Sequence, residues 1–215
     1  MEEDKENADS FKGACSFKLR TAGQSGGMQI PAGVSAETLD RLLGTLDVRV
    51  STLFELDVGP GLALDLEAYD TPSFHYIKRG HGRLSIPEGR PVEIGPQTLV
   101  IVPPTCLFRF EPVQEESVTS LWSGKFRSLH GNSVDLFDTL QVPIIEWFPN
   151  ADALESRLQL ALTEVIARDV CSDVLVSIAI KQVLIALIRQ SFLSMNSWTG
   201  RFGTCQEFCV PGSRS

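Results

Sequence analysis

The chain has 215 residues, 43% of them apolar and 21% charged, enough to bury the core of one ordinary domain or of a compact domain with a helical appendage. Nineteen Lys and Arg against 27 Asp and Glu leave a net charge of −8, which excludes a broad phosphate-binding surface. Cys15, Cys106, Cys171, Cys205 and Cys209 are scattered, and no apolar leader opens the sequence, so reduced thiols and a cytoplasmic location are expected.

Residues 1–30 begin with Glu2, Glu3, Asp4, Glu6 and Asp9 and pass through a Gly/Ser stretch, a composition that predicts a disordered acidic tail. Ser35 then opens a short helix, with Leu39, Leu42 and Leu43 on one face and Gly44 as its stop. From Leu46 to Leu56 apolar and polar residues alternate, predicting a half-buried strand with Leu46, Val48, Val50, Thr52, Phe54 and Leu56 on one side. Further short runs follow at 62–67, 73–79, 82–86, 91–94, 98–102, 106–110 and 117–122, mostly separated by Gly, Pro or charged residues. That spacing predicts a sandwich or barrel rather than βαβ units.

The pattern changes near Pro149. Asn150 or Asp152 is placed to cap a helix, and Asp152 with Glu155 has the form of a capping box. Leu154, Leu158, Ala161, Leu162 and Val165 form its apolar face. A second helix is predicted over 173–193, with Asp173, Ser177, Lys181 and Arg189 as one narrow polar stripe on an otherwise apolar circumference. Lys181 and Gln182 interrupt it midway, which excludes a membrane span. Such a helix needs cover on most sides, so self-association is expected through Leu184, Leu187 and Ile188, and a charge at Leu184 or Leu187 should weaken the dimer.

The order of these motifs resembles the ligand-binding and dimerisation domain of AraC-type transcription regulators. The likeness covers roughly residues 39–202 and is carried by residues 74–80, which end at Gly80, by residues 99–103, which end at Pro103, by Gly124-Lys125-Phe126 after Trp122, and by residues 136–140 leading to Pro143. It implies a mainly β fold, a cupin-like β-barrel (double-stranded β-helix, or jelly roll) over 31–148, followed by two C-terminal α-helices over 149–196 and an irregular tail over 197–215. Full-length members of that family continue from a Trp-x-x-Arg-Phe junction, matched here by Trp198, Arg201 and Phe202, into a helix-turn-helix. Residues 203–215 carry no apolar periodicity. The expectation is a regulator truncated to its sensory half, with no direct nucleic-acid binding.

Cupin enzymes hold a metal through a His-x-His and a Glu in the first motif and a His in the second. Here His75 is the only histidine of the first motif, Ser73 stands at the Glu position, and Phe108 falls at the second-motif His. One donor does not make a metal site, so neither metal nor other cofactor is expected. Cys205 and Cys209 have no second Cys or His pair beside them and are not read as a zinc site.

His75 leaves two readings open: a pocket histidine that hydrogen-bonds a small ligand, or a core histidine satisfied by a backbone carbonyl. Cys106, Phe108 and Phe110, with Phe54 or Trp122, are the candidate lining of an apolar pocket around it. His81, between two glycines, reads as an exposed turn residue, and His130 as loop. No catalytic residue is assigned. The function expected is small-effector sensing and dimerisation, as a homodimer or as a heterodimer with an intact homologue. The alternatives are a metal-independent cupin enzyme of the sugar isomerase or epimerase type, and a non-functional gene remnant.

Overall fold

The computed structural model describes residues 36–66, 69–86, 90–113, 118–130, 134–138, 140 and 142–201. The acidic N-terminal tail, Cys205, Cys209 and the irregular segment after Arg201 lie outside these residues. A helix α1 (Ala36–Gly44) precedes ten strands: β1 (Leu46–Val58), β2 (Leu64–Leu66), β3 (Ser73–Arg79), β4 (Gly82–Ser85), β5 (Val92–Ile94), β6 (Thr98–Val102), β7 (Phe108–Pro112), β8 (Thr119–His130), β9 (Val134–Asp135) and β10 (Ile144–Trp147). Helices α2 (Asp152–Ala167) and α3 (Ser172–Arg201) follow.

The strands form two antiparallel sheets. The larger has the order β1-β8-β3-β6-β10, with the short β9 beside the far end of β8; the smaller has the order β2-β7-β4-β5. One face of the large sheet packs on the small sheet and the other is covered by the three helices, so the middle strands are buried on both sides. That is why all five residues of β6 and the first five of β3 are buried, and why these runs read as continuously apolar or mixed rather than alternating. The mainly β barrel with trailing helices expected from the sequence is what forms.

Two cores result. Between the sheets lie Val58, Leu66, Ile77, Leu84, Ile94, Val100, Phe108, Phe110 and Leu121. Between the large sheet and the helices lie Phe74, Tyr76, Leu99, Ile101, Trp122 and Phe126 from the strands, Leu39 and Leu43 from α1, and the buried faces of α2 and α3. The expected face of α2 holds, with Leu154, Leu158, Ala161 and Leu162 all buried.

Several local expectations change. The alternation of β1 does not belong to one strand face. A register break between Val50 and Thr52 turns Leu46, Val48 and Leu53 toward the helices and Leu56 and Val58 toward the small sheet. Opposite this bulge stands Gly124, where a Cβ would come within 2.8 Å of the Thr52 carbonyl and 2.6 Å of the Phe74 ring, so only glycine fits. Helix α2 is preceded by Ala151 without a side-chain cap, and Glu155 accepts the Tyr76 hydroxyl at 2.6 Å instead of closing a capping box. Strand β8 continues to His130, past the expected 122, and α3 continues to Arg201, past the expected boundary at 196.

Asp135, at the end of β9, ties that strand to β8 and fixes the turn that follows it. Its carboxylate is buried and accepts hydrogen bonds from Ser128 N (2.9 Å), Ser128 Oγ (2.7 Å) and Phe137 N (3.0 Å). Phe137 is thereby set edge-on to Phe126, with centroids 5.3 Å apart, in the helix-facing core. Asp135→Ala strands these buried donors, and we expect it to cost about 3 kcal/mol in urea unfolding. A loss under about 1 kcal/mol would show that the turn is held by packing alone.

Candidate functional site: the barrel centre and the open seam

Strand β3 delivers His75 to the space between the sheets, level with Val100 of β6 and Ser123 of β8. The ring is 5% exposed. Its Nε2 lies 3.1 Å from Ser73 Oγ and its Nδ1 2.9 Å from Ser123 Oγ, so in the neutral ring one nitrogen donates and the other accepts. Phe108 meets it edge-on at 4.7 Å between centroids. No charged group offsets its desolvation, and burial lowers its pKa to about 3. It is a core histidine, satisfied by two serine hydroxyls rather than by the backbone carbonyl expected.

The three positions that the sequence resemblance gave to metal ligands do converge, since Ser73 and Phe108 both touch His75. They bring a hydroxyl and a benzene ring where a carboxylate and a second imidazole would be needed, and this donor set does not fit a divalent metal. Among the described residues no three His, Cys, Asp or Glu side chains gather closely enough to hold one.

The expected pocket is divided by the large sheet. His75, Phe108 and Phe110 do line one interior void, with Leu64, Leu66 and Val100, but its volume is about 10 Å³, room for about one water. Cys106 precedes β7 rather than lying on it and is half-buried beside this core without lining the void. Phe54 is 42% exposed at the β1 edge. Trp122 is a correction: it faces the helices, stacked on Tyr76 at 5.7 Å with Lys78 Nζ 4.8 Å above its ring. Adjacent residues of one strand point to opposite faces, so Trp122 cannot join Leu121 and Ser123 in the barrel interior. Its buried Nε1 has no hydrogen-bond partner among the described residues.

The expected dimer residues are a second correction. Leu184 and Leu187 are 0% exposed and Ile188 is 1% exposed within this single chain, packed against the sheet and α2. Among the described side chains, the apolar residues that α3 leaves in water are Val174, Leu175 and Ile178, at 56, 41 and 49% exposure, with Leu160 and Ile166 on α2 and Val170 between the helices. The polar stripe anticipated for α3 is therefore bordered by exposed apolar side chains. Lys181, on that stripe, donates to the Gly44 carbonyl at 3.2 Å and so meets the C-terminal end of α1.

No motif in the sequence points to the rim of the barrel. There β5 and β10, the last strands of their sheets, leave a groove of about 500 Å³ lined by His81, Glu93, Gly95, Pro96, Thr98 and Trp147, among others. Trp147 is level with Thr98 and hence with Ile77, on the face toward the small sheet, but that sheet ends short of it and the indole is 58% exposed. His81 is exposed as expected, with its ring lying where a Cβ on Gly95 would be, 2.8 Å away.

A two-sheet barrel with a histidine at its centre and helices behind its large sheet defines a cupin-type domain. The chain belongs to the cupin family, whose model, described as Cupin, matches residues 37–192. No curated protein shows a significant match. Among solved structures it is similar to an RmlC-like cupin family protein from Methanocaldococcus jannaschii, at 13% identity over 37% of this chain and 69% of that one, with a TM-score of 0.33. It is similar also to YhaK from Escherichia coli (14% identity, 51% of this chain and 46% of that one, TM-score 0.36), so the chain spans about half the length of that protein. A third is the cupin domain of an XRE family transcriptional regulator from Enterobacter cloacae (10% identity, 38% of this chain and 95% of that one, TM-score 0.31).

Proposed function

We propose that the chain is an effector-binding and pairing module of the AraC-type regulator kind, without catalysis of its own. The observation that carries this reading is the barrel centre, where both imidazole nitrogens of His75 are engaged by serine hydroxyls and burial keeps the ring neutral. A base or metal ligand needs a free nitrogen lone pair facing the substrate, and this ring has none to offer. The Tyr76–Glu155 pair is no substitute: it lies on the helix side of β3, Tyr76 is 0% exposed, and burial together with the Glu155 contact pushes the phenol pKa up. Neither His75 nor the Tyr76–Glu155 pair offers the acid–base couple that an isomerase or epimerase acting at the barrel centre would use.

Pairing is supported by the row Val174, Leu175 and Ile178 at the start of α3. Each such side chain contributes on the order of 1.5–3 kcal/mol when a partner covers it fully, and proportionately less for the part already buried. The partner is a second copy of this chain or a homologue with the same helix pair. No helix among the described residues is long and apolar enough to cross a membrane. Sedimentation velocity at micromolar concentration tests the reading: a dimer is expected, and a folded monomer at every concentration would sink it.

A further inference from the structure

Helix α3 crosses the large sheet from one edge to the other. Lys181 meets the Gly44 carbonyl, just before β1, and further along Ser191 reaches β10 at the opposite edge. There the Ser191 hydroxyl, itself buried, donates to Glu146 Oε1 at 2.9 Å. The Glu146 carboxylate is 6% exposed and stands level with Leu99 of β6, in the core that also holds Leu187 and Ile188, one turn before Ser191. From Ser191 the helix runs on to Arg201, about 15 Å at the usual rise.

No cation compensates this carboxylate. Strands β6 and β10 and residues 148–151 carry no other ionisable side chain. On α3, Asp173 and Arg189 are exposed, Lys181 is engaged by Gly44, and residues 192–200 contain no ionisable group. On α2, Glu155 accepts from Tyr76, Arg157 donates to Gln182 and Glu164 accepts from Ser172, while Asp152 and Arg168 are exposed. A buried carboxylate with one neutral donor is unfavourable when ionised, and a proton relieves it where no cation does. Burial accordingly raises the Glu146 pKa, against the opposing effect of the Ser191 hydroxyl.

We propose that the Glu146–Ser191 contact is a proton-operated latch, which holds the last turns of α3 to the edge of the barrel in acid and loosens them toward neutral pH. The docked helix end binds the proton more tightly than the released one. Docking is therefore strongest below the ordinary carboxylate pKa and weakens as pH rises through the raised value. The first half of α3 stays in place, because Lys181–Gly44 and Arg157–Gln182 involve no group that titrates in this range. What the latch sets is the path of the chain beyond Arg201. It is independent of pairing, since Val174, Leu175 and Ile178 lie at the other end of the helix.

Backbone amide exchange of the full chain, followed in ¹H–¹⁵N spectra at about pH 7.5 and about pH 5 and expressed as protection factors, tests the latch. In the wild type the amides of 192–201 are expected to gain protection several-fold at the lower pH. Those of the barrel should lose it there, as the unfolded chain takes up a proton at His75. Glu146→Gln keeps an acceptor for Ser191 and carries no charge, so it should show the higher protection of 192–201 at both pH values. Ser191→Ala should lower the protection of the same amides in acid about fivefold, the effect of one net hydrogen bond, and leave those of 176–188 unchanged. Three results would each overturn the proposal: no protection of 192–201 at either pH, an equal pH response in wild type and Glu146→Gln, or a gain in Glu146→Gln spread evenly over the barrel.

Discussion

Leu187→Asp is expected to leave little folded protein, whereas Ile178→Asp is expected to fold normally and to sediment as a monomer. The two positions are nine residues apart on one helix but face different solvents. Leu187 is 0% exposed among Val183, Leu184 and Ile188 in the core against the large sheet. A carboxylate there is buried without a partner, a change that belongs with the most damaging kinds and costs at least about 4 kcal/mol. Ile178 is 49% exposed, and a surface substitution of this sort changes the stability of the monomer by no more than about 0.5 kcal/mol. In the dimer the same charge would sit between two apolar helix faces. Circular dichroism and sedimentation on the two variants separate these outcomes. A folded, monomeric Leu187→Asp would mean that the buried face of α3 is the interface after all.

The second large effect is on acid stability. His75 is neutral when folded, with its pKa lowered to about 3, against a reference value of 6.5 for the unfolded chain. Between these values the unfolded chain binds one more proton than the native one. Stability from this group is therefore complete above pH 6.5 and is lost as pH falls toward 3. The loss is about 2 kcal/mol between pH 6.5 and pH 5, before most carboxylates begin to protonate. His75→Gln retains a donor and an acceptor for Ser73 and Ser123 and cannot titrate, so its stability should fall by about 2 kcal/mol less than the wild type over that interval. Glu146 works in the opposite direction, since burial raises its carboxyl pKa and protonation at lower pH relieves the native state. It is common to both proteins and cancels in the difference. Parallel slopes for wild type and His75→Gln would mean that His75 titrates in the folded state and reaches solvent.

The strands and helices of this molecule are legible in its sequence wherever one face is wet. The apolar run of α2 and the short strands β4, β5 and β7 are of that kind, while β3 and β6, buried on both faces, are marked instead by the Gly and Pro residues that bound them. Strand β10 is not legible, because its two faces invert the usual code: Glu146 is buried, accepting from Ser191 Oγ at 2.9 Å, while Trp147 stands in water. The bulge in β1 leaves a small mark that an overall period of two hides. Ser51 and Thr52 are both polar and Leu53 and Phe54 both apolar, so the alternation slips by one residue where the strand turns, opposite the close approach of Gly124. Helix α3 misled in the assignment of its buried side. A stripe of Asp173, Ser177, Lys181 and Arg189 suggested where water lies, but the large sheet and α2 take the strongest apolar face and leave Val174, Leu175 and Ile178 outside.

The same distinction applies to the site. The resemblance to the cupin motifs brought Ser73, His75 and Phe108 together correctly, because its ligand positions fall on strand faces that meet at the barrel centre. It could not place Trp122, whose neighbour Leu121 points inward, nor show that the pocket is closed by the very side chains proposed to line it. The groove at the seam joins residues from four separate segments, His81, Glu93, Thr98 and Trp147 among them. Nothing local in the chain marks such a convergence.

The centre of this cupin barrel is a filled, neutral cluster of Ser73, His75, Phe108 and Ser123 where metal-binding cupins place their ligands. Elemental analysis of protein purified without chelator is expected to give well under one equivalent of any transition metal, unchanged in His75→Gln. Stoichiometric iron, manganese or zinc in the wild type, lost in His75→Gln, would contradict it.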